Sequence, residues 1–172
     1  MGFFTTLSTL FRKPKPPRLS CPAKLWKSIL LDLRRRGRGK IESGGFLLGV
    51  KRGEHRVVRA FLAYDDVDPN ALQGAILFDG SRMDIVWQRC RDKGLEVVAD
   101  VHTHPAGFGQ SSIDRANPMI PERGHLALIV PNFADRTYKP GEIGIYEFLG
   151  KREGWANHSR AGRSFFAVGW FA

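Results

Sequence analysis

The stretch Ala99–Asn117, ADVHTHPAGFGQSSIDRAN, gathers two histidines, a proline, a glycine-containing loop, two serines and an aspartate. Alternate residues of a strand point to one side, so His102 and His104 can turn both imidazoles toward one ion. Pro105 cannot extend a central ladder, and the strand is expected to break there. The loop Ala106–Gln110 then leads to a short helix beginning near Ser111, which can return the Asp114 carboxylate to the strand end. Two histidines and one carboxylate, with a fourth position left for water, form the ligand set of a catalytic zinc. Ser111-x-x-Asp114 reads equally as a helix cap followed by an acid in the first turn, which needs no metal. Both halves together, with Pro105 and the glycines between them, favour the metal.

A zinc hydrolase also needs a base that takes a proton from water. Ahead of Asp65 the chain offers Asp32, Glu42 and Glu54. Glu42 precedes the run GGFLLG, where glycines permit close backbone approach. Spacing alone does not choose between Glu42 and Glu54. Of the other histidines, His125 reads as a core or strand-end residue, and His55 and His158 as surface residues in a turn and a loop.

The elements that must position these residues are legible in the apolar pattern. PAKLWKSILLDLRRR has a helical stripe at Leu25, Trp26, Ile29, Leu30 and Leu33, with Pro22 suited to the first turn and the following GRG as its stop. GGFLLGV and HRVVRAFLAY flank KRGE as a hairpin, and SRMDIVWQRCRDKG reads as a second helix ended by Gly94. LEVVADVHTH, HLALIV, IGIYEFL and the tail SFFAVGWFA read as strands. This order predicts one α/β or mixed α+β domain, a central mixed sheet flanked by two main helices.

A length of 172 residues, 42% apolar with twelve Phe, suits a single globular core. Cys21 and Cys90 are too few for a disulfide framework or a thiolate zinc site, and read as small apolar residues. Residues 1–40 carry eleven Lys and Arg against the single acid Asp32, while the remainder is neutral overall. The sequence thus divides into a basic, proline-containing N-terminal extension, residues 1–20, and a domain, residues 21–172. Gly2 and Thr6 match a short, common myristoylation pattern, but no apolar run approaches the ~18 residues of a membrane span. A cytoplasmic protein without a membrane partner is the expectation.

ESGGFLLG (Glu42–Gly49) followed by HTHPAGFGQSSID (His102–Asp114) resembles the JAMM or MPN+ metalloprotease motif, in its compact bacterial JAB-type form. The resemblance implies a single MPN/JAB-type domain of cytidine-deaminase-like architecture. It also implies one zinc per chain, held by His102, His104 and Asp114 with water as the fourth ligand. Glu42 would act as the base and Ser111 as hydrogen-bond donor to the oxyanion, both catalytic. The loop before Ser111 is one residue shorter than in many members, which makes Ser112 the fallback donor at the expense of the Ser-x-x-Asp spacing.

The activity implied is a deubiquitinase-like isopeptidase or peptidase that frees a ubiquitin-like protein from a conjugate or trims its C-terminal extension. The setting implied is a bacterial ubiquitin-like pathway, such as an antiphage operon, with activating and conjugating enzymes as further partners. A glycine-ended substrate tail would add beside the GGFLLGV strand, flanked by the loops of residues 65–79 and 131–142. A metal-free scaffold of the same fold would lack the ligand residues, which are all present. A nucleic-acid-associated, RadC-like protein is disfavoured because the chain reads HTHPAG and its excess charge lies outside the domain, without interleaved aromatics.

Overall fold

The structure is a computed structural model, and it describes residues 16–169. The Gly2 pattern, most of the basic extension and the final residues of the tail lie outside the described residues.

The described residues form ten strands and three α-helices. They run β1 (Leu19–Pro22), α1 (Ala23–Gly37), β2 (Gly44–Arg52), β3 (His55–Ala63), β4 (Leu72–Gln73), β5 (Ala75–Ile76), α2 (Met83–Lys93), β6 (Glu96–Thr103), α3 (Ser112–Ala116), β7 (Leu126–Val130), β8 (Gly144–Gly150), β9 (Gly154–Asn157) and β10 (Phe166–Gly169). Eight strands form one mixed sheet in the order β10-β1-β3-β2-β6-β7-β8-β9, and β4–β5 form a separate short ladder. The mixed α+β class expected from the sequence is what the chain adopts.

The pleat of β2 explains the layering. Leu47 points to the face covered by α1, where Trp26, Ile29, Leu30 and Leu33 are buried against Val98, Val101, Leu128 and Ile145. Phe46 and Leu48 point to the other face, where they pack with Tyr64, Val86 and Cys90 of the α2 side. With both faces covered, β6 is buried from Val97 to Thr103. Each large side chain so buried contributes ~1.5–3 kcal/mol. Ile85 and Trp87 of α2 are each 37% exposed; the helix presents Val86 and Cys90 to the core.

Helix α1 ends with Arg34, Arg35 and Arg36 against the negative end of its dipole, and α2 ends at Gly94 with φ 60°. One boundary and two histidine placements differ from the sequence reading. β1 pairs in parallel with both β10 and β3, so Leu19 and Ser20, assigned above to the extension, belong to the sheet. His55 and His158 are partly buried: His55 Nε2 lies 3.0 Å from Ser20 Oγ, and His158 stacks on Phe165 with ring centres 4.2 Å apart.

Candidate metal centre

β6 lies between β2 and β7, and its C-terminal end carries the first ligand candidate. The register sets His102 opposite Gly44. A Cβ on Gly44 would fall 2.5 Å from Tyr64 Cε2 and 2.9 Å from His102 Cβ, so only glycine lets β2 approach here. The strand ends at Thr103, one residue before His104 and two before Pro105. His104 is nonetheless fixed at its backbone: its N–H donates to the Val130 carbonyl at 2.9 Å and its carbonyl accepts from Phe133 N–H at 2.8 Å. Phe133 sits in a turn whose residues Asn132, Phe133 and Ala134 all have φ between 51° and 56°. Left-handed backbone of this kind costs ~1–2 kcal/mol per residue, and here it delivers the amide that holds His104.

The segment bearing Glu42 is tied to the same strand end. Thr103 N–H donates to the Ser43 carbonyl at 2.8 Å, Ser43 N–H donates to Thr103 Oγ1 at 2.9 Å, and Ser43 Oγ donates to the Leu33 carbonyl at 2.7 Å. Ser43, fully buried, thereby joins α1, β2 and β6. Glu42 precedes it and lines the cleft, its backbone N–H donating to the Gly74 carbonyl at 3.0 Å. Glu54 instead lies in the turn between β2 and β3, beyond the end of β2 remote from Gly44 and His102.

On the third side, the helix-cap and metal readings of Ser111-x-x-Asp114 prove compatible. Asp114 N–H donates to Ser111 Oγ at 3.1 Å, and Ser111 N–H donates to Asp114 Oδ2 at 2.7 Å, a reciprocal capping box. That box aims the carboxylate at the histidines, with Asp114 Oδ1 3.5 Å from His102 Nε2 and Oδ2 3.2 Å from His104 Nε2. Ser111 accepts through its oxygen and keeps its hydroxyl proton free to donate. The loop and helix are anchored from behind by Tyr146 OH donating to the Phe108 carbonyl at 3.0 Å and Trp155 Nε1 donating to the Arg115 carbonyl at 3.2 Å.

The three side chains fit a metal ion. His102 Nε2 and His104 Nε2 are 3.0 Å apart, and the Asp114 carboxylate faces each of them through a different oxygen at 3.5 and 3.2 Å. A tetrahedral zinc with bonds of ~2.0–2.1 Å has ligand–ligand edges of ~3.3 Å. Among the described residues these three form a group able to hold a cation.

The electrostatics point the same way. Burial opposes a positive charge on His102, yet Asp100 and Asp114 raise its pKa to about 9. A proton and a metal ion compete for the same lone pair, so a pocket that draws one in also favours the other. Asp114 is held far below the ordinary carboxylate range: burial opposes its charge, and hydrogen bonds with His102 and His104 outweigh it. Glu42 is shifted upward, chiefly by burial, against the pull of His104 and His102.

Tyr64 and Asp100 escaped the sequence reading. His125, expected in the core, is buried at 6% exposure, with Nε2 2.6 Å from Asp100 Oδ1. Tyr64 OH donates to Asp100 Oδ2 at 3.1 Å. Burial works against the Asp100 charge, but the imidazoles of His102 and His125 facing it hold its pKa at about 2. The signal available was Asp100 itself, an acid inside an apolar strand two residues before a histidine.

Glu42, Asp100, His102, Ser111 and Asp114 line one cleft of ≈580 Å³, walled on its apolar side by Ile76, Phe78, Met83 and Met119. The loop of residues 65–79 contributes Ala75–Phe78 to this wall. The segment of residues 131–142 does not line it: Tyr138 is buried under α1, its carbonyl accepting from Trp26 Nε1 at 2.8 Å. The free edge expected at GGFLLGV is also absent, because β2 is paired with β3 on one side and β6 on the other.

No known protein-family profile matches the chain. Its fold is similar to the solution structure of a protein from Desulfitobacterium hafniense, with a TM-score of 0.63 and 17% identity over 87% of this chain and 92% of that one. A solution structure of a protein from Salinibacter ruber is also similar, with a TM-score of 0.54 and 18% identity over 80% of this chain and 87% of that one. At these identities the likeness is one of fold. No helix among the described residues is long and apolar enough to cross a membrane.

Proposed function

We propose that this protein is a zinc-dependent isopeptidase or peptidase of the JAMM/MPN+ type, acting on a ubiquitin-like protein. The observation that carries this reading is the convergence of His102 Nε2, His104 Nε2 and the Asp114 carboxylate within 3.5 Å of one another, at a cleft that Glu42 also lines. The motif resemblance and the mixed sheet between α1 and α2 support an MPN/JAB-type, cytidine-deaminase-like domain with one zinc per chain.

Zinc at this position supplies Lewis acidity toward a carbonyl and toward water. Glu42 takes the proton of the attacking water onto its carboxylate and later passes it to the leaving amine. Its partly buried setting raises its pKa, which suits a group that must both accept and release a proton. Ser111 donates its free hydroxyl proton to the developing oxyanion, while its oxygen continues to cap α3. Ile76, Phe78 and Met119 limit water on the apolar side of the cleft.

An extended, glycine-ended tail enters beside β4–β5, a two-stranded ladder whose Ala75 and Ile76 line the cleft. The natural substrate is a conjugate or precursor of a ubiquitin-like protein in a bacterial pathway, with its activating and conjugating enzymes as further partners. Two free, buried cysteines suit a cytoplasmic setting.

The test combines metal content with cleavage of a ubiquitin-like protein fused through its terminal glycine to a reporter. The purified protein should carry one zinc, and the His102→Ala/His104→Ala variant none. Glu42→Ala should keep the metal and lose at least 10²-fold in cleavage rate, the scale of general base catalysis. A folded wild-type protein without zinc overturns the proposal, as does a Glu42→Ala variant as fast as wild type.

A further inference from the structure

Asp100 lies at the wall of the cleft on the far side of the His102 ring from His104 and Asp114. It stands two residues before His102 on β6 and is 3% exposed. A carboxylate this deep is costly unless it is paired, and here three side chains from separate parts of the fold face it. His102 Nδ1 is 3.9 Å from Oδ2, Tyr64 OH 3.1 Å from the same oxygen, and His125 Nε2 2.6 Å from Oδ1. Tyr64 follows β3 and His125 precedes β7, so the cluster ties β6 to structure on both sides. His125 also lines a second cavity, of ≈340 Å³, with Arg56, Glu96 and Trp87.

The two nitrogens of the His102 ring face different company. Nε2 is turned toward His104 and Asp114, while Nδ1 is turned toward Asp100. A histidine that ligates through Nε2 must carry its proton on Nδ1, and a carboxylate on that side fixes both tautomer and ring angle. A core that needed only filling would be served at lower cost by an apolar residue.

We propose that Asp100 is the positioning residue of the metal centre: it keeps the His102 proton on Nδ1 and aims Nε2 at the ion, while His125 and Tyr64 hold Asp100 in place. The inference rests on the metal reading of the site. The Nδ1–Oδ2 distance exceeds a hydrogen bond, so metal binding should draw the ring and the carboxylate together.

Two measurements on the purified full-length chain test this. Zinc affinity is read at one pH by competition with a chromophoric chelator, for wild type and for Asp100→Asn, His125→Gln and Tyr64→Phe. Asp100→Asn should bind zinc ~10–100-fold more weakly, the usual effect of removing such a partner. His125→Gln and Tyr64→Phe should each weaken it by a smaller factor.

Long-range ¹H–¹⁵N spectra of the zinc-loaded protein then read the tautomer of His102. Wild type should show an Nδ1 proton protected from solvent exchange, and Asp100→Asn should keep that tautomer but lose the protection, which a purely structural role would not produce. Should Asp100→Asn fail to fold, the affinities of the other two variants decide. Wild-type affinity in every folded variant overturns the positioning role and leaves the metal centre standing. A wild-type chain that binds no zinc overturns both.

Discussion

At the scale of single residues, the centre depends on side chains that serve two purposes at once. Ser111 caps α3 through its oxygen, and the same capping box orients the Asp114 carboxylate. Ser111→Ala should therefore cost ~1 kcal/mol of stability from the lost cap and also weaken zinc binding, beyond any loss of oxyanion stabilisation. Ser112, one residue into the helix, takes no part in the capping box, so Ser112→Ala should leave metal affinity unchanged. Chelator competition and cleavage assays on the two variants separate them, and equal behaviour would remove Ser111 from its assigned role. His102, His104 and Asp114 were legible because metal ligation imposes short spacings on a strand and a helix turn. The cluster around Asp100 was not, because Tyr64 and His125 reach it across the sheet and leave no local pattern.

At the scale of elements, the centre depends on how closely β2 and β6 approach. Gly44 sits where any side chain would meet Tyr64, the Val101 carbonyl and His102 within 2.9 Å. Gly44→Ala should cost ~1–3 kcal/mol through overpacking and, because His102 is among the displaced atoms, should reduce zinc affinity in the protein that still folds. Chemical denaturation with and without zinc checks both effects; a stable variant with normal affinity would mean that β2 does not set the position of His102. Most elements were readable from apolar periodicity, α1, α2, β2 and β6 above all. β1 was not, since four residues after a Pro-rich basic stretch carry little signal and their pairing is set by β3 and β10, distant in sequence. The β4–β5 ladder, two residues per strand, is likewise too short to show a pattern.

At the scale of the whole molecule, charge is uneven, and Asp32 is the only acid among the first forty residues. It bonds Arg35 and Arg36, and Arg36 continues to Asp65 and Asp66 in the loop after β3, so α1 is moored to the sheet partly through this group. Burial opposes the Asp32 charge, but the two arginines outweigh it and its pKa falls below the ordinary 3.8. A group with a depressed folded-state pKa stabilises above its unfolded value and loses that contribution as pH falls through the folded one. Asp32→Asn should thus cost ~0.5 kcal/mol at pH 7, the scale of a partly exposed pair, with the gap to wild type closing as pH falls below the ordinary carboxylate range. Urea denaturation at several pH values measures it, and a gap independent of pH would assign the loss to packing.

The position of β1 between β3 and β10 also bears on how the molecule is made. A nascent chain emerges from its N-terminus, so Glu42, His102, His104 and Asp114, together with the β8 and β9 anchors of the loop and α3, are all synthesised before β10. Until Phe166 arrives, β1 has one unpaired edge and Trp26 lacks the aromatic ring that meets it edge-on at 5.1 Å. The strands and ligands of the metal centre are therefore available to assemble during translation, while the core beneath α1 closes only when β10 leaves the ribosome.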